Sequence, residues 1–208
     1  VLGGGVAGMT AALALGDMGY EAHLVERSAH LGGHALDLDR TLRGSRPAEF
    51  VAELERRLID NPNVKIHLAA ELVDFQGFIG NFTSVIREDG DRRTPVDHGV
   101  VIVATGGCED RPEVYGLGGH PNIVTGLDLE RLLATEDPVV THAGAVGFLR
   151  CAGSLDDHKP YCSRTCCAQA VKNAIRLKEA NPERPVYVWY KELRTFGFTE
   201  EYSTKARE

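Results

Sequence analysis

Val1-Leu2-Gly3-Gly4-Gly5-Val6-Ala7-Gly8-Met9-Thr10-Ala11-Ala12-Leu13 is the stretch that decides the fold. Gly3, Gly5 and Gly8 stand in the spacing G-x-G-x-x-G, between an apolar pair and an Ala- and Leu-rich run. In such a loop one glycine makes the tight turn, one lets the backbone approach a pyrophosphate, and one lets helix and strand pack closely. The helix start adds unpaired N–H groups and the positive end of its dipole. Val6 and Ala7 lie within the loop and join the candidate set. Met9 to Met18 reads as the helix, ended by Gly19, and Glu21 to Glu26 as the next strand. Glu26 closes that strand, where a carboxylate accepts hydrogen bonds from a ribose diol. No basic residue takes its place, which disfavours a 2′-phosphate.

The motif is weak alone and gains weight from its surroundings. Gly32-Gly33 follows Glu26 after a short spacer, and Ala104-Thr105-Gly106-Gly107 follows the apolar run Val100 to Ala104. This order is similar to that of flavoproteins with two dinucleotide-binding domains, in which Glu, a spacer and Gly-Gly mark the FAD side. The candidate cofactor-binding residues are therefore Gly3, Gly5, Val6, Ala7, Gly8, Glu26, Arg27, Gly32, Gly33, His34, Leu72, Ala104, Thr105 and Gly106. FAD is favoured over NAD on this context. The plainer alternative is that the later glycines only make loops.

Outward from the loop, residues 47–60 read as an amphipathic helix with Phe50, Val51, Leu54, Leu58 and Ile59 on one face. Val64 to Leu68 reads as a strand. Residues 72–98 read as a small antiparallel meander broken at Gly77, Gly80-Asn81 and Asp89-Gly90-Asp91. Gly99 to Ala104 reads as a buried strand and Asp128 to Ala134 as a short helix. Pro138 marks the expected boundary between a dinucleotide-binding domain at 1–137 and a second nucleotide-binding-like domain at 138–208. In the second part, Val146 to Cys151 and Pro185 to Tyr190 read as strands around a helix from Cys166 to Ala180. The recurring β-α-β order predicts an α/β fold with mainly parallel sheets.

Four of the five cysteines fall close together: Cys151, Cys162, Cys166 and Cys167. Disulfides suit an oxidising compartment, and the vicinal Cys166-Cys167 pair bridges itself only with backbone strain. Zinc favours paired C-x2-C knuckles, which are absent from the sequence. Four thiolates also suit an iron–sulfur cluster, which passes one electron at a time beside a two-electron flavin. The cluster reading ranks first, zinc second and disulfides last. Cys108 stands apart and reads as a small buried hydrophobe. The eight histidines show no ligand-like pair, and Tyr161 and Trp189 read as packing residues. No C-x2-C redox pair is present, the one C-x4-C spacing (Cys162 and Cys167) falls inside the four-cysteine set, and no second G-x-G-x-x-G follows the strand at 146–151.

The totals narrow the classes further. The chain has 208 residues, 43% hydrophobic and 25% charged, the composition of a globular protein with a buried core. A net charge of −7 argues against nucleic acid, which requires a cationic footprint. No apolar run reaches the roughly 20 residues of a membrane-spanning helix. The chain starts inside a strand-like pair and stops in a helix-like segment. The expectation is a piece of a longer chain, without a signal peptide and cytoplasmic.

Together these segments resemble the flavoprotein component of heterodisulfide reductase, its A-type chain, and the relatives of that chain. The resemblance is carried by Gly3 to Leu13, Leu31-Gly32-Gly33, Gly80-Asn81-Phe82, Val103-Ala104-Thr105-Gly106, His120 to Thr125 and Cys151 to Ser154. Its most specific part is Pro160-Tyr161-Cys162-Ser163-Arg164-Thr165-Cys166-Cys167. It implies a thioredoxin-reductase-like FAD fold with a [4Fe-4S] cluster near the flavin, held by Cys151, Cys162, Cys166 and Cys167. It also implies a catalytic role for Lys172, on the flavin N5 side; the alternative is a solvated helix lysine. Methanogen members carry an inserted ferredoxin module after the Gly-Asn-Phe segment and a cysteine soon after the Gly-Gly pair. This chain has only a short polar hairpin from Phe82 to Gly99, and no cysteine from Thr41 to Pro47, so it resembles a shorter branch. The implied function is FAD- and [4Fe-4S]-dependent electron transfer within an oxidoreductase complex. The implied partners are the other subunits, with a homodimer as a further expectation. The alternatives are an NAD(P)H-dependent FAD oxidoreductase with a structural metal, and an FAD-containing assembly subunit without catalysis.

Overall fold

A computed structural model describes residues 1–88 and 90–208. The chain forms two compact units: Val1–Asp37 with Arg46–Cys108, and Leu38–Ser45 with Glu109–Glu208. Pro138, the expected domain boundary, lies inside the second unit.

In the first unit, helix α1 (Val6–Asp17) begins at the glycine loop, earlier than the Met9 expected from its apolar run. Its Ala and Leu content favours helix, and Gly19 at φ +85° ends it in the left-handed conformation that glycine adopts without strain. Strands β1 (Ala22–Val25) and β2 (Val64–His67) pair in parallel, with Ala22 opposite Val64 and Val25 opposite His67. Between them, α2 (Pro47–Asp60) starts with proline at its first turn, where the missing N–H costs nothing. Met9, Ala12 and Leu13 of α1 pack with Leu24, Leu31 and the Val51, Leu54 and Leu58 stripe of α2. Phe50 and Ile59, expected on that face, are exposed on its flanks.

Strands β3 (Glu71–Phe78), β4 (Asn81–Glu88) and β5 (Arg92–His98) form the expected antiparallel meander, in that order. Gly77 does not break it. It sits inside β3 opposite Phe82 at φ +105°, and the tight turn follows at Ile79-Gly80. The expected turn at Asp89-Gly90-Asp91 includes Asp89, which lies outside the described residues. Val25, Ala70, Ile86 and Val96 form a second small core with Leu2.

The segment Gly99–Ala104 is not the buried strand its composition suggests. It meets Leu2 through one parallel bridge, with Leu2 N–H donating to Ile102 O and Ala104 N–H to Leu2 O. Val100 and Val103 are 67% and 69% exposed. Leu2 also bridges Val25, so the order across this layer is 103, 2, β1, β2, all parallel.

In the second unit, β6 (Val146–Leu149) and β7 (Val186–Trp189) pair in parallel around α5 (Cys166–Ala180), whose bounds match the sequence reading. Helix α3 (Gly126–Ala134) is capped by Thr125, whose hydroxyl accepts from Asp128 N–H at 3.1 Å. Helix α4 (Pro138–Thr141) is capped by Asp137, and α6 (Glu200–Lys205) follows near the end. Leu129, Leu133, Val140, Phe148, Ala170, Ala174 and Leu177 make its core. Tyr161 and Trp189 are exposed rather than packed inside, and Trp189 stacks on Tyr187.

Candidate functional site

The first unit brings the separated glycine motifs together. Gly3 has φ +104°, and a Cβ there would lie 2.3 Å from Ala104 O. A Cβ on Gly8 would lie 1.8 Å from Gly3 O. The loop, the start of α1 and the Ala104 turn can therefore touch only because these positions lack side chains. Gly5 differs: a Cβ there would meet nothing within 4 Å, so the backbone at the start of α1 faces open space. No side chain caps that helix and no acidic residue occupies its first turn. The N–H groups of its first turn are the donors an anion would use.

The Gly32-Gly33 turn lies on the same loop. Gly5 and Gly32 form a parallel bridge, Gly32 N–H donates to Gly4 O at 2.8 Å, and a Cβ on Gly33 would lie 3.2 Å from Gly5 Cα. His34 ties this turn to the third motif: Nε2 donates to Gly107 O at 2.7 Å, and Nδ1 lies 2.9 Å from Asp37 Oδ2. Thr105 and Gly106 are exposed beside it, Gly106 at φ +67°.

Glu26 closes β1 as expected, and its carboxylate already serves the loop. Oε2 accepts from Gly4 N–H at 2.6 Å and Oε1 from Ser28 N–H at 2.7 Å. Partial burial opposes ionisation, but the Ser28 and Gly4 N–H groups outweigh it and hold the carboxyl below the usual range. A carboxylate has roughly four acceptor positions, so two donors leave room for a ribose diol. Arg27 is exposed next to it. Leu72 stands apart in β3, half-buried and paired with Ile86.

The second unit carries the four cysteines and brings two of them, Cys151 and Cys167, to a common backbone carbonyl. Cys151 follows β6 at φ +61°, Cys162 lies in the polar loop, and Cys166 and Cys167 open α5. Cys151 and Cys167 are buried, and both sulfurs lie 3.8 Å from Glu192 O. Arg164 N–H lies 3.3 Å from Cys162 Sγ. Burial pushes the Cys167 thiol up; an Arg194 N–H contact opposes this, and the neighbouring Cys166 and Cys151 add to it. Glu192 raises the Arg194 guanidinium most, and Cys162 and Cys151 add to that. All five cysteines are free, and Cys108 is exposed rather than buried. Among the described residues, no group of three or more His, Cys, Asp or Glu is arranged to hold a metal ion. The donor chemistry suits thiolate ligation, while the sulfurs stand as neighbouring free thiols.

Lys172 is not a solvated lysine. Its Nζ lies 2.6 Å from Glu130 Oε1 and donates to Arg40 O at 2.7 Å, and the Lys172 and Glu130 side chains are 13% and 0% exposed. Asn173 Nδ2 also donates to Glu130 Oε1, at 2.9 Å. Sequence reasoning missed Glu130 and Asn173. Both sit in helical stretches where a polar residue reads as solvent-facing. The one signal in the sequence was the Leu129, Leu132, Leu133 stripe surrounding Glu130.

Comparison with known proteins agrees with this geometry. Residues 1–72 match the family described as NAD(P)-binding Rossmann-like domain. The A-type iron-sulfur chain of CoB--CoM heterodisulfide reductase from Methanocaldococcus jannaschii is 28% identical, covering 100% of this chain and 46% of the relative. That alignment runs over 299 positions against 208 residues here, so the relative carries residues inside the matched span that this chain lacks. Thioredoxin reductase from T. acidophilum matches with a TM-score of 0.58 at 13% identity, covering 99% of this chain and 60% of that one. The HOCl-induced flavoprotein disulfide reductase RclA from Escherichia coli matches at 0.52 and 18%, covering 99% and 46%. These likenesses establish a thioredoxin-reductase-like fold with a Rossmann-type first unit. In sequence and fold the chain is similar to the A-type chains of heterodisulfide reductase, spanning less than half the length of those it matches.

Proposed function

We propose that this chain is the FAD- and iron–sulfur-binding electron-transfer part of a heterodisulfide-reductase-like oxidoreductase complex, of the branch without an inserted ferredoxin module. The observation that carries the proposal is the pairing of two sites in one chain. The Gly3–Gly8, Gly32-Gly33 and Ala104–Gly107 motifs converge on one open backbone cradle, and the second unit carries four free thiols, of which Cys151 and Cys167 both meet Glu192 O.

FAD exchanges electrons in pairs and an iron–sulfur cluster passes them singly, so together they convert between the two modes. In this assignment Gly5 to Gly8 offer N–H groups to the pyrophosphate. Glu26 accepts from the ribose and disfavours a 2′-phosphate by its charge. Gly33 and Thr105-Gly106 keep the backbone low beside the rest of the dinucleotide. Cys151, Cys162, Cys166 and Cys167 supply four thiolates. An iron centre held there would set a cation among those sulfurs and favour their thiolate forms, against the burial that pushes the Cys167 thiol up. Lys172 is the catalytic candidate, and Glu130 holds its Nζ in place. The other subunits of the complex are the proposed partners.

Electron paramagnetic resonance of the full chain, prepared anaerobically and reduced, tests this. The expected result is a cluster signal that a Cys166→Ser substitution abolishes while flavin is retained. A reduced protein that holds flavin but shows no cluster signal contradicts the proposal.

A further inference from the structure

One group of side chains in the first unit has no part in the proposed function. His23 in β1 and His67 in β2 face each other, with Nδ1 of the first 2.9 Å from Nε2 of the second. Their rings stack with centroids 5.1 Å apart and planes at 11°. The outer nitrogen of each ring meets a carboxylate. His67 Nδ1 lies 2.6 Å from Glu88 Oε1 in β4, and His23 Nε2 lies 3.1 Å from Glu21 Oε1. Lys65 Nζ reaches Glu21 at 2.9 Å, Arg92 of β5 reaches Glu88 Oε2 at 2.8 Å, and the Val1 α-amino group donates to His23 O at 2.7 Å. The His67 and Glu88 side chains are only 13% and 9% exposed.

Counting protons fixes the charge of the pair. A carboxylate only accepts, so each outer ring nitrogen must carry a hydrogen. The inner contact needs one more, because two bare ring nitrogens repel. Two neutral imidazoles carry two N–H groups, and this arrangement uses three. The pair therefore holds one positive charge, and it joins the parallel β1–β2 pair to the antiparallel β3–β4–β5 sheet.

We propose that His23 and His67 form a one-proton latch, closed near neutral pH and opened by a second proton. The second proton goes to His23 and sets two cationic rings against each other. Burial holds His23 below the ordinary histidine range, with Glu21 opposing this and His67 and Lys65 reinforcing it. A histidine with a lowered folded pKa contributes stability that is present above its unfolded value, about 6.5, and is lost as pH falls. Glu88 is held low by its bond from His67, with Arg92 adding to this against the opposing cost of burial. Its own loss follows only below about pH 4.3, so the two windows separate.

The test uses the full chain, with long-range proton–nitrogen correlation spectra near neutral pH and urea unfolding from about pH 7.5 to about pH 5. The latch predicts three protonated ring nitrogens and one bare one in the pair. It predicts an unfolding midpoint that falls on acidification, and His23→Gln removing most of that fall. Should His23→Gln fail to fold, the exposed Lys65→Met substitution serves instead: without the Lys65 charge the folded His23 pKa rises toward its unfolded value, so the fall shrinks. Two singly protonated rings at neutral pH, a midpoint flat across the histidine range, or a fall undiminished by Lys65→Met each overturns the proposal.

Discussion

Single residues decide whether the cradle exists. Gly8 is the sharpest case, because a Cβ there would lie 1.8 Å from a backbone carbonyl that cannot swing away. Gly8→Ala is expected to destabilise the chain by at least about 1–3 kcal/mol and to abolish flavin retention, read by urea unfolding and by absorbance of the purified protein. Glu130 is the matching case in the second unit. Removing its carboxylate leaves the Lys172 ammonium without its buried partner, so Glu130→Ala is expected to cost about 3–5 kcal/mol in urea unfolding. The thiols differ in the same physical terms. Cys108 is exposed, whereas Cys167 is buried and pushed toward its protonated form. In metal-free protein a thiol-alkylating reagent should modify Cys108 first and Cys167 last, as peptide mass spectrometry would show. The sequence pattern made the glycines legible because their spacing states their job. It left Glu130 and Asn173 illegible, because burial of a helix charge depends on which face a neighbouring helix covers.

Among the elements, those with a strong local signal appear where the sequence puts them. Helix α5 keeps its bounds, and α2 starts on the proline that suits a first turn. The misses have local physical causes. Gly99–Ala104 is as apolar as a central strand, yet it meets Leu2 through one bridge and turns Val100 and Val103 outward. Gly77 reads as a turn residue, but the strand tolerates it because its positive φ lets the backbone pass Asn81 closely. The caps give a clean test at this scale. Thr125 supplies the hydroxyl that opens α3, and Thr125→Ala is expected to lower stability by about 1 kcal/mol in urea unfolding. The histidine pair was also hidden in the sequence. His23 and His67 lie on different strands, and only the parallel register of β1 and β2 brings their rings together.

At the scale of the whole molecule, two compact units each carry one half of the proposed chemistry. The first is a Rossmann-type unit whose glycines clear an open backbone cradle. The second places thiols after a strand and at a helix start, and no second G-x-G-x-x-G follows that strand. The fold class and the dinucleotide side were readable from the chain because backbone approach demands glycine at fixed spacings. The four cysteines were readable as a set of residues but not as a geometry, since Cys162 lies in a polar stretch that carries no periodic signal. No helix among the described residues is long and apolar enough to cross a membrane. The central claim is that one chain holds a flavin and a thiolate-bound cluster. Its most direct test is the content of flavin, iron and acid-labile sulfide in the full chain purified without oxygen. About one FAD, four iron and four sulfide per chain are expected, with Cys151→Ser, Cys162→Ser, Cys166→Ser and Cys167→Ser each depleting iron and sulfide together. Zinc without sulfide, or full iron retained in those variants, would contradict it.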